Sequence, residues 1–186
     1  ALSQAAQDTR ADVWVMAPMV TDVDDATWFV GRARAAGLSR PGVVVEVPAA
    51  ALTAGNVLRV AAFACVSSED LGQYALAADR QVEALSAWRD PWHPAVLRLV
   101  ELVGAAGSLS GKPVSVCGPA AADPLLACVL VGLGVTSLSM PPSGLARVRA
   151  GLARHTFGDC LAFTDLALGA STAAEARDRV GSLASS

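Results

Sequence analysis

The run PGVVVEVPAAA (Pro41 to Ala51), with AAFACVSS (Ala61 to Ser68) and KPVSVCG (Lys112 to Gly118) after it, decides the fold. Each holds a short, nearly continuous apolar core, and VVV is purely β-branched. That is the pattern of a strand covered on both faces, as in a parallel sheet. Between the last two runs, Val96, Leu99, Val100 and Val103 recur at helical spacing within Pro94 to Ala106. Strand and helix alternating without hairpin turns imply a parallel α/β sheet with right-handed crossovers. In such a sheet the C-terminal strand ends and the loops after them form the site. Glu46, Asp70 and Cys117 close three successive apolar runs, so a carboxylate, a second carboxylate and a thiol are expected to meet there.

Working outward, DVWVMAPMV (Asp12 to Val20) reads as a strand. Thr21 is expected to cap the next helix, with acidic DVDDA in its first turn. That helix should turn Trp28, Phe29 and Ala33 inward and end at Gly37. Ala49 to Val60 reads as a helix weakened by Gly55, and Leu71 to Ala78 as a loop or short helical turn. Asp123 to Gly132 reads as a helix, and VTSLSM (Val135 to Met140) as a strand. Gly144 to Arg154 and Ser171 to Leu183 read as helices. Ala1 to Thr9 also reads as helix, and LAFTDLAL (Leu161 to Leu168) stays open between helix and strand. Five strands result, near residues 12, 43, 62, 114 and 135.

With 186 residues, 53% hydrophobic and 17% charged, one ordered domain over 1–186 is the expectation, and disorder is excluded. Gly, Pro or charge interrupts every apolar run well short of the ~20 residues of a membrane helix. The opening ALSQAAQDTRADVW lacks the basic and apolar regions of a signal peptide, which gives a cytoplasmic reading. A net charge of −3 with no basic stripe argues against nucleic acid. Four cysteines at 65, 117, 128 and 160 and two histidines form no zinc spacing. Cys65, Cys128 and Cys160 are expected to be buried and inert.

Six segments keep order and spacing over roughly residues 11 to 150: VMAPMV (Val15 to Val20), VEVPAA (Val45 to Ala50), EDLGQYALAADR (Glu69 to Arg80), DPWHPAVLRL (Asp90 to Leu99), CG (Cys117, Gly118) and GLGVTSLSM (Gly132 to Met140). Together they resemble the C-terminal barrel of the phosphoenolpyruvate-utilising enzymes, and most of all enzyme I of the bacterial sugar phosphotransferase system. Pyruvate phosphate dikinase and phosphoenolpyruvate synthase share EVP and CG, but DPWHPAVLRL fits the enzyme I branch better. A TIM (β/α)8 barrel has eight strands. The resemblance therefore implies the C-terminal five-eighths of one, whose open edges would invite pairing. In the family, three strands and a phosphohistidine domain lie upstream.

The resemblance also assigns roles. Glu46 and Asp70 would bind Mg²⁺, which takes one or two carboxylates and fills its shell with substrate oxygen and water. The bland alternative is an ion-paired Glu and a helix-capping Asp. Arg80 would clamp phosphoenolpyruvate bidentately, or else pair with Asp79 or Glu83 at the surface. Cys117 would protonate the enolpyruvate carbon as the phosphoryl group moves to a histidine on another domain or carrier protein. His93 reads as a structural residue opening a helix, and His155 as solvated near a helix end. Homodimerisation is a further implication of the family.

Three positions depart from the family pattern. Its GTND is here Ser67-Ser68-Glu69-Asp70, so Glu69 replaces an amide at a substrate-binding position and sets a negative charge beside an anionic ligand. Gln81-Val82 replaces Gly-Asn, and Pro119 replaces the acidic residue after Cys-Gly. A scaffold kept around an altered site motivates a second reading, a catalytically impaired remnant acting as a dimerisation or regulatory module.

Overall fold

The computed structural model describes residue 9 and residues 11–185. The helix expected over Ala1 to Thr9 falls outside them except for Thr9. Five strands form one parallel sheet in sequence order: β1 (Trp14–Ala17), β2 (Arg40–Val45), β3 (Ala64–Ser67), β4 (Val114–Cys117) and β5 (Ser137–Ser139). Crossovers carry α1 (Val23–Ala35), then α2 (Pro48–Leu52) with α3 (Ala54–Val60), then α4 (Ser68–Ala75) with α5 (Pro94–Ser110), then α6 (Pro124–Gly132). Beyond β5 lie α7 (Pro142–Leu152), α8 (Phe157–Leu168) and α9 (Ala173–Ala184). Two 3-10 turns, Glu83–Arg89 and Pro119–Ala122, precede α5 and α6. The architecture is α/β and matches the expected partial barrel, with each strand paired to the next.

The two sheet faces differ because side chains alternate along a strand. Val43, Val45, Ala64, Val66, Val114 and Val116 face the helices and are buried, packed with Leu97, Val100 and Val103 of α5 and Leu126, Val129 and Leu130 of α6. Burying each such Val or Leu contributes ~1.5–3 kcal/mol. The opposite face carries Trp14, Met16, Glu46, Cys65, Ser67, Ser115, Cys117, Ser137 and Ser139. Its outer strands leave Trp14 at 44% and Met16 at 46% exposure. The polar, partly open face is the one that presents the candidate chemistry.

Several loops are pinned by single side chains. Trp92 is fully buried and donates its Nε1–H to Asp123 Oδ2 at 2.9 Å. Asp123 Oδ1 accepts from the amides of Leu125 and Leu126, so the helix expected to begin here is capped as its sequence suggests. His93 Nδ1 accepts from Ala95 N at 3.2 Å and caps α5, in keeping with its structural reading. Lys112 Nζ donates to the carbonyls of Leu58 and Ala61, closing the C-terminus of α3.

The structure corrects other expectations. Asp22, not Thr21, caps α1, because its carboxylate takes the Asp24 and Asp25 amides while Thr21 bonds Asp25. Trp28 does not point inward: it is 64% exposed and covered by the Arg32 guanidinium at 4.8 Å. The helix expected over Ala49 to Val60 breaks at Thr53 rather than weakening at Gly55. Of the two readings of Leu71 to Ala78, loop or short helical turn, the structure takes the helical one as far as Ala75, within α4, which starts at Ser68. LAFTDLAL is helical, set by the Thr156–Asp159 capping box. His155 is half-buried, its ring edge-on to Phe163 at 5.0 Å.

One packing contact yields a prediction. Gly104 of α5 lies against the α6–β5 turn, where an added Cβ would overlap the Leu133 carbonyl. That carbonyl belongs to backbone and cannot swing aside. Gly104→Ala should therefore cost about 3 kcal/mol as overpacking. Thermal unfolding should show Tm lowered by roughly 10 °C, and an unchanged Tm would mean that α5 shifts freely on the sheet.

Candidate functional site

The C-terminal edge of the sheet gathers the candidate residues around Ser67, the last residue of β3. Ser67 Oγ donates to Asp70 Oδ2 at 2.7 Å, one turn into α4. Asp70 Oδ1 accepts from Arg80 Nη1 at 3.1 Å. Across the sheet Ser67 is the register partner of Cys117 at the end of β4, and Cys117 is the partner of Ser139. On the other side, Val45 pairs with Val66, so Glu46 stands level with Ser67 one strand over. Neighbouring strands lie about 4.8 Å apart. Both carboxylates and the thiol are thus each one neighbour from the same hydroxyl.

Local structure explains each position. Glu46 leaves the buried run VVV just before Pro48 starts α2, and its Oε2 accepts from Met19 N at 2.6 Å. That bond crosses from β2 to the loop after β1, where Met19 adopts a left-handed φ of 54°. Ser68 Oγ donates to Cys117 O at 2.9 Å and ties the start of α4 to the end of β4. Gly118 follows with φ 95°, and a side chain there would press on Ser68 Oγ at 2.8 Å. A residue other than glycine would be strained at that φ and would push α4 away from β4.

Cys65 lies on the same face as Cys117, two residues before Ser67. It is buried, as expected, and it sits diagonally across from Cys117 on the polar face, so it is not isolated from the site. The neighbouring Cys117 thiol is the main cause that draws Cys65 down to about 6. The same neighbour, with burial, pushes Cys117, the half-buried member nearer the open edge, above the ordinary thiol range. Burial raises Cys128 to about 12 and raises Cys160 as well, in keeping with inert core thiols.

Sequence reasoning missed Ser67, Cys65 and the Met19 amide. A signal for two of them existed. β3 reads Cys-x-Ser and β4 reads Ser-x-Cys, a mirrored alternation that sets four polar groups on one face of adjacent strands. The surface alternative for Arg80 names Asp79 or Glu83 as its partner, and the partner is Asp70 instead. Asp70 does not cap α4; its carboxylate reaches back to Ser67 from within the first turn. Glu69 is exposed and lines a cleft with Pro119.

The donor set can be tested against a metal. Among the described residues no group of three or more His, Cys, Asp or Glu could hold an ion by protein alone. Two hard-oxygen carboxylates flanking Ser67 fit Mg²⁺, which keeps waters and recruits substrate oxygens. No helix among the described residues is long and apolar enough to cross a membrane.

Comparison with known proteins gives the family context. Residues 1–157 match the family model for the PEP-utilising enzyme, PEP-binding domain. The chain is 51% identical over 178 residues to the phosphoenolpyruvate-protein phosphotransferase of Streptomyces coelicolor, spanning 95% of this chain and 32% of that protein. It is 38% identical over 184 residues to a multiphosphoryl transfer protein of Xanthomonas campestris, spanning 95% and 22%. The chain thus spans about a third or less of these relatives. Likeness of this extent favours a substrate-binding domain over a silent remnant. Among solved structures, the protein CitE from Mycobacterium tuberculosis in complex with magnesium and acetate superposes with TM-score 0.54 at 16% identity, covering 86% of this chain and 67% of that one. At that identity the likeness shows the fold alone.

Proposed function

The chain belongs to the phosphoenolpyruvate-utilising enzymes, as their phosphoenolpyruvate-binding domain, and from that premise we propose that it forms the substrate-binding part of a phosphoenolpyruvate-protein phosphotransferase. The observation that carries the reading is the convergence on Ser67, where Asp70 is hydrogen-bonded and Cys117 is the cross-strand partner. In this reading Glu46 and Asp70 hold Mg²⁺, which when bound supplies a fixed positive charge against the anionic substrate. Arg80, already aimed at this edge by Asp70, turns its guanidinium to substrate oxygens. Cys117 holds a proton toward the methylene carbon. As the substrate P–O bond breaks, the phosphoryl group passes to a histidine on another segment or chain. The S–H bond gives its proton to carbon, and pyruvate leaves.

The proposal extends to the setting: a cytoplasmic sugar phosphotransferase system, a phosphohistidine domain or carrier protein as partner, and a homodimer. The chain is 51% identical to an enzyme named for phosphoenolpyruvate-protein phosphotransfer, which supports that setting.

Titration calorimetry tests the binding claim. One guanidinium and one metal ion hold a highly charged ligand weakly, so a Kd near 1 mM, about −4 kcal/mol, is expected. Binding should require Mg²⁺ and disappear with a chelator. An absence of heat at several times that concentration, with Mg²⁺ present, would refute the assignment.

A further inference from the structure

Glu69 is the residue that fits the proposed site least, and a cation lies across the adjoining cleft. A cavity of about 220 Å³ is lined by Ser68, Glu69, Ser86, Arg89, Pro91 and Pro119. Among the described residues neither Glu69 nor Arg89 has an ion-pair partner. Arg89 Nε is buried with no hydrogen-bond partner. A buried guanidinium N–H without an acceptor is a costly arrangement. Glu69, exposed on the first turn of α4, is the one carboxylate lining this cleft.

We propose that Arg89 is a positioning residue that draws the Glu69 carboxylate across this cleft and away from the anionic substrate. The proposal rests on the phosphoenolpyruvate reading above. Left unpaired, Glu69 would add a third negative charge to an edge that already carries Glu46 and Asp70, and would repel the ligand those two recruit through Mg²⁺. Paired with Arg89, it is neutralised on the far side of Ser68, and the Ser68 bond to Cys117 O keeps the first turn of α4 in place. Pro119 adds no charge of its own to the cleft, so the arginine has one carboxylate to serve.

Calorimetry with phosphoenolpyruvate and Mg²⁺ on four proteins tests this: wild type, Arg89→Gln, Glu69→Gln and the double variant. Arg89→Gln should weaken binding about 10-fold, the effect of one unit charge at ~10 Å in a dielectric of ~20. In the Glu69→Gln background the same change should have no effect, and Arg89→Lys should restore most of the affinity. A loss of equal size in both backgrounds would overturn the proposal, since Arg89 would then be touching substrate directly. No loss in either background would overturn it too. The same four proteins without ligand give a second reading that survives failure of the substrate assignment. Their Tm values should be non-additive by about 1–2 °C, as for a partly exposed ion pair, and additive values would also overturn the pairing.

Discussion

Asp70→Ala is expected to abolish Mg²⁺-dependent phosphoenolpyruvate binding while leaving the fold intact. Three roles end with that carboxylate. Its Oδ2 accepts the Ser67 hydroxyl at 2.7 Å, its Oδ1 anchors Arg80 at 3.1 Å, and in the proposed reading it supplies half of the protein's metal ligands. Losing a charged hydrogen-bond acceptor together with a metal-ligating carboxylate costs about 1.5–3 kcal/mol of binding. A loss near 2.7 kcal/mol is about 100-fold, enough to move a millimolar affinity out of reach. Stability should respond far less. The Asp70 side chain is 24% exposed and that of Arg80 54%, so the ion pair itself contributes ~0–1 kcal/mol. That is at most about 2–4 °C in Tm for a chain of this size. Asp70→Asn sharpens the test: the amide oxygen it introduces can still accept from Ser67, but the charge is gone. If the Asp70→Asn variant bound Mg²⁺ and phosphoenolpyruvate as wild type does, Asp70 would be removed from the metal site.

The sequence made the sheet legible because each buried strand is an apolar run that only a two-sided burial explains. VVV before Glu46 is the clearest case, whereas VSVC before Gly118 alternates, with both valines buried and Ser115 and Cys117 half-buried on the open face. Element ends were less legible. Thr21 and Asp22 are both capping residue types, and only the direction of Asp22's bonds to the next amides separates them. Trp28 looked like core by its size, yet α1 carries Arg32 one turn on, and a guanidinium over the ring gives the indole cover at the surface. Leu71 to Ala78 stayed open between a loop and a short helical turn because Gly72 weakens its pattern, and the helix there in fact runs from Ser68 to Ala75, starting earlier than the apolar residues alone suggest. At the site, Glu46 and Cys117 could be named since each ends or directly follows a strand run, and Asp70 since it stands three residues beyond one, in the first turn of α4. Ser67 could not, because a strand-end serine usually signals nothing more than a turn. Its role depends on which residue stands beside it on β4, and that is a property of register. Arg80 shows the same limit: its partner is ten residues away, beyond any local helix spacing.

Cys117→Ala should separate chemistry from binding. The thiol contributes no ligand to the proposed metal, so affinity for phosphoenolpyruvate with Mg²⁺ should change less than about 3-fold, within 0.7 kcal/mol. What should disappear is proton transfer at carbon. An acid that protonates enolpyruvate in one direction must take a methyl proton from pyruvate in the other, so the chain with Mg²⁺ in D₂O should exchange the pyruvate methyl hydrogens. Proton NMR of the methyl signal follows this without any histidine domain. Loss of a positioned general acid or base costs roughly 10²–10⁴-fold, and exchange in the Ala variant should fall by that amount. The pH dependence has a definite direction. Exchange of pyruvate needs Cys117 as thiolate, and the neighbouring Cys65, with burial, holds Cys117 above the ordinary thiol range, so the exchange rate should still be rising with pH beyond the point where an isolated thiol would have levelled off. Cys65→Ala removes that neighbour and should move the rising limb of the exchange profile to lower pH. Cys117→Ala protein that exchanged pyruvate at the wild-type rate would transfer the acid role to another group, and a profile indifferent to Cys65 would show that the two sulfurs do not influence each other.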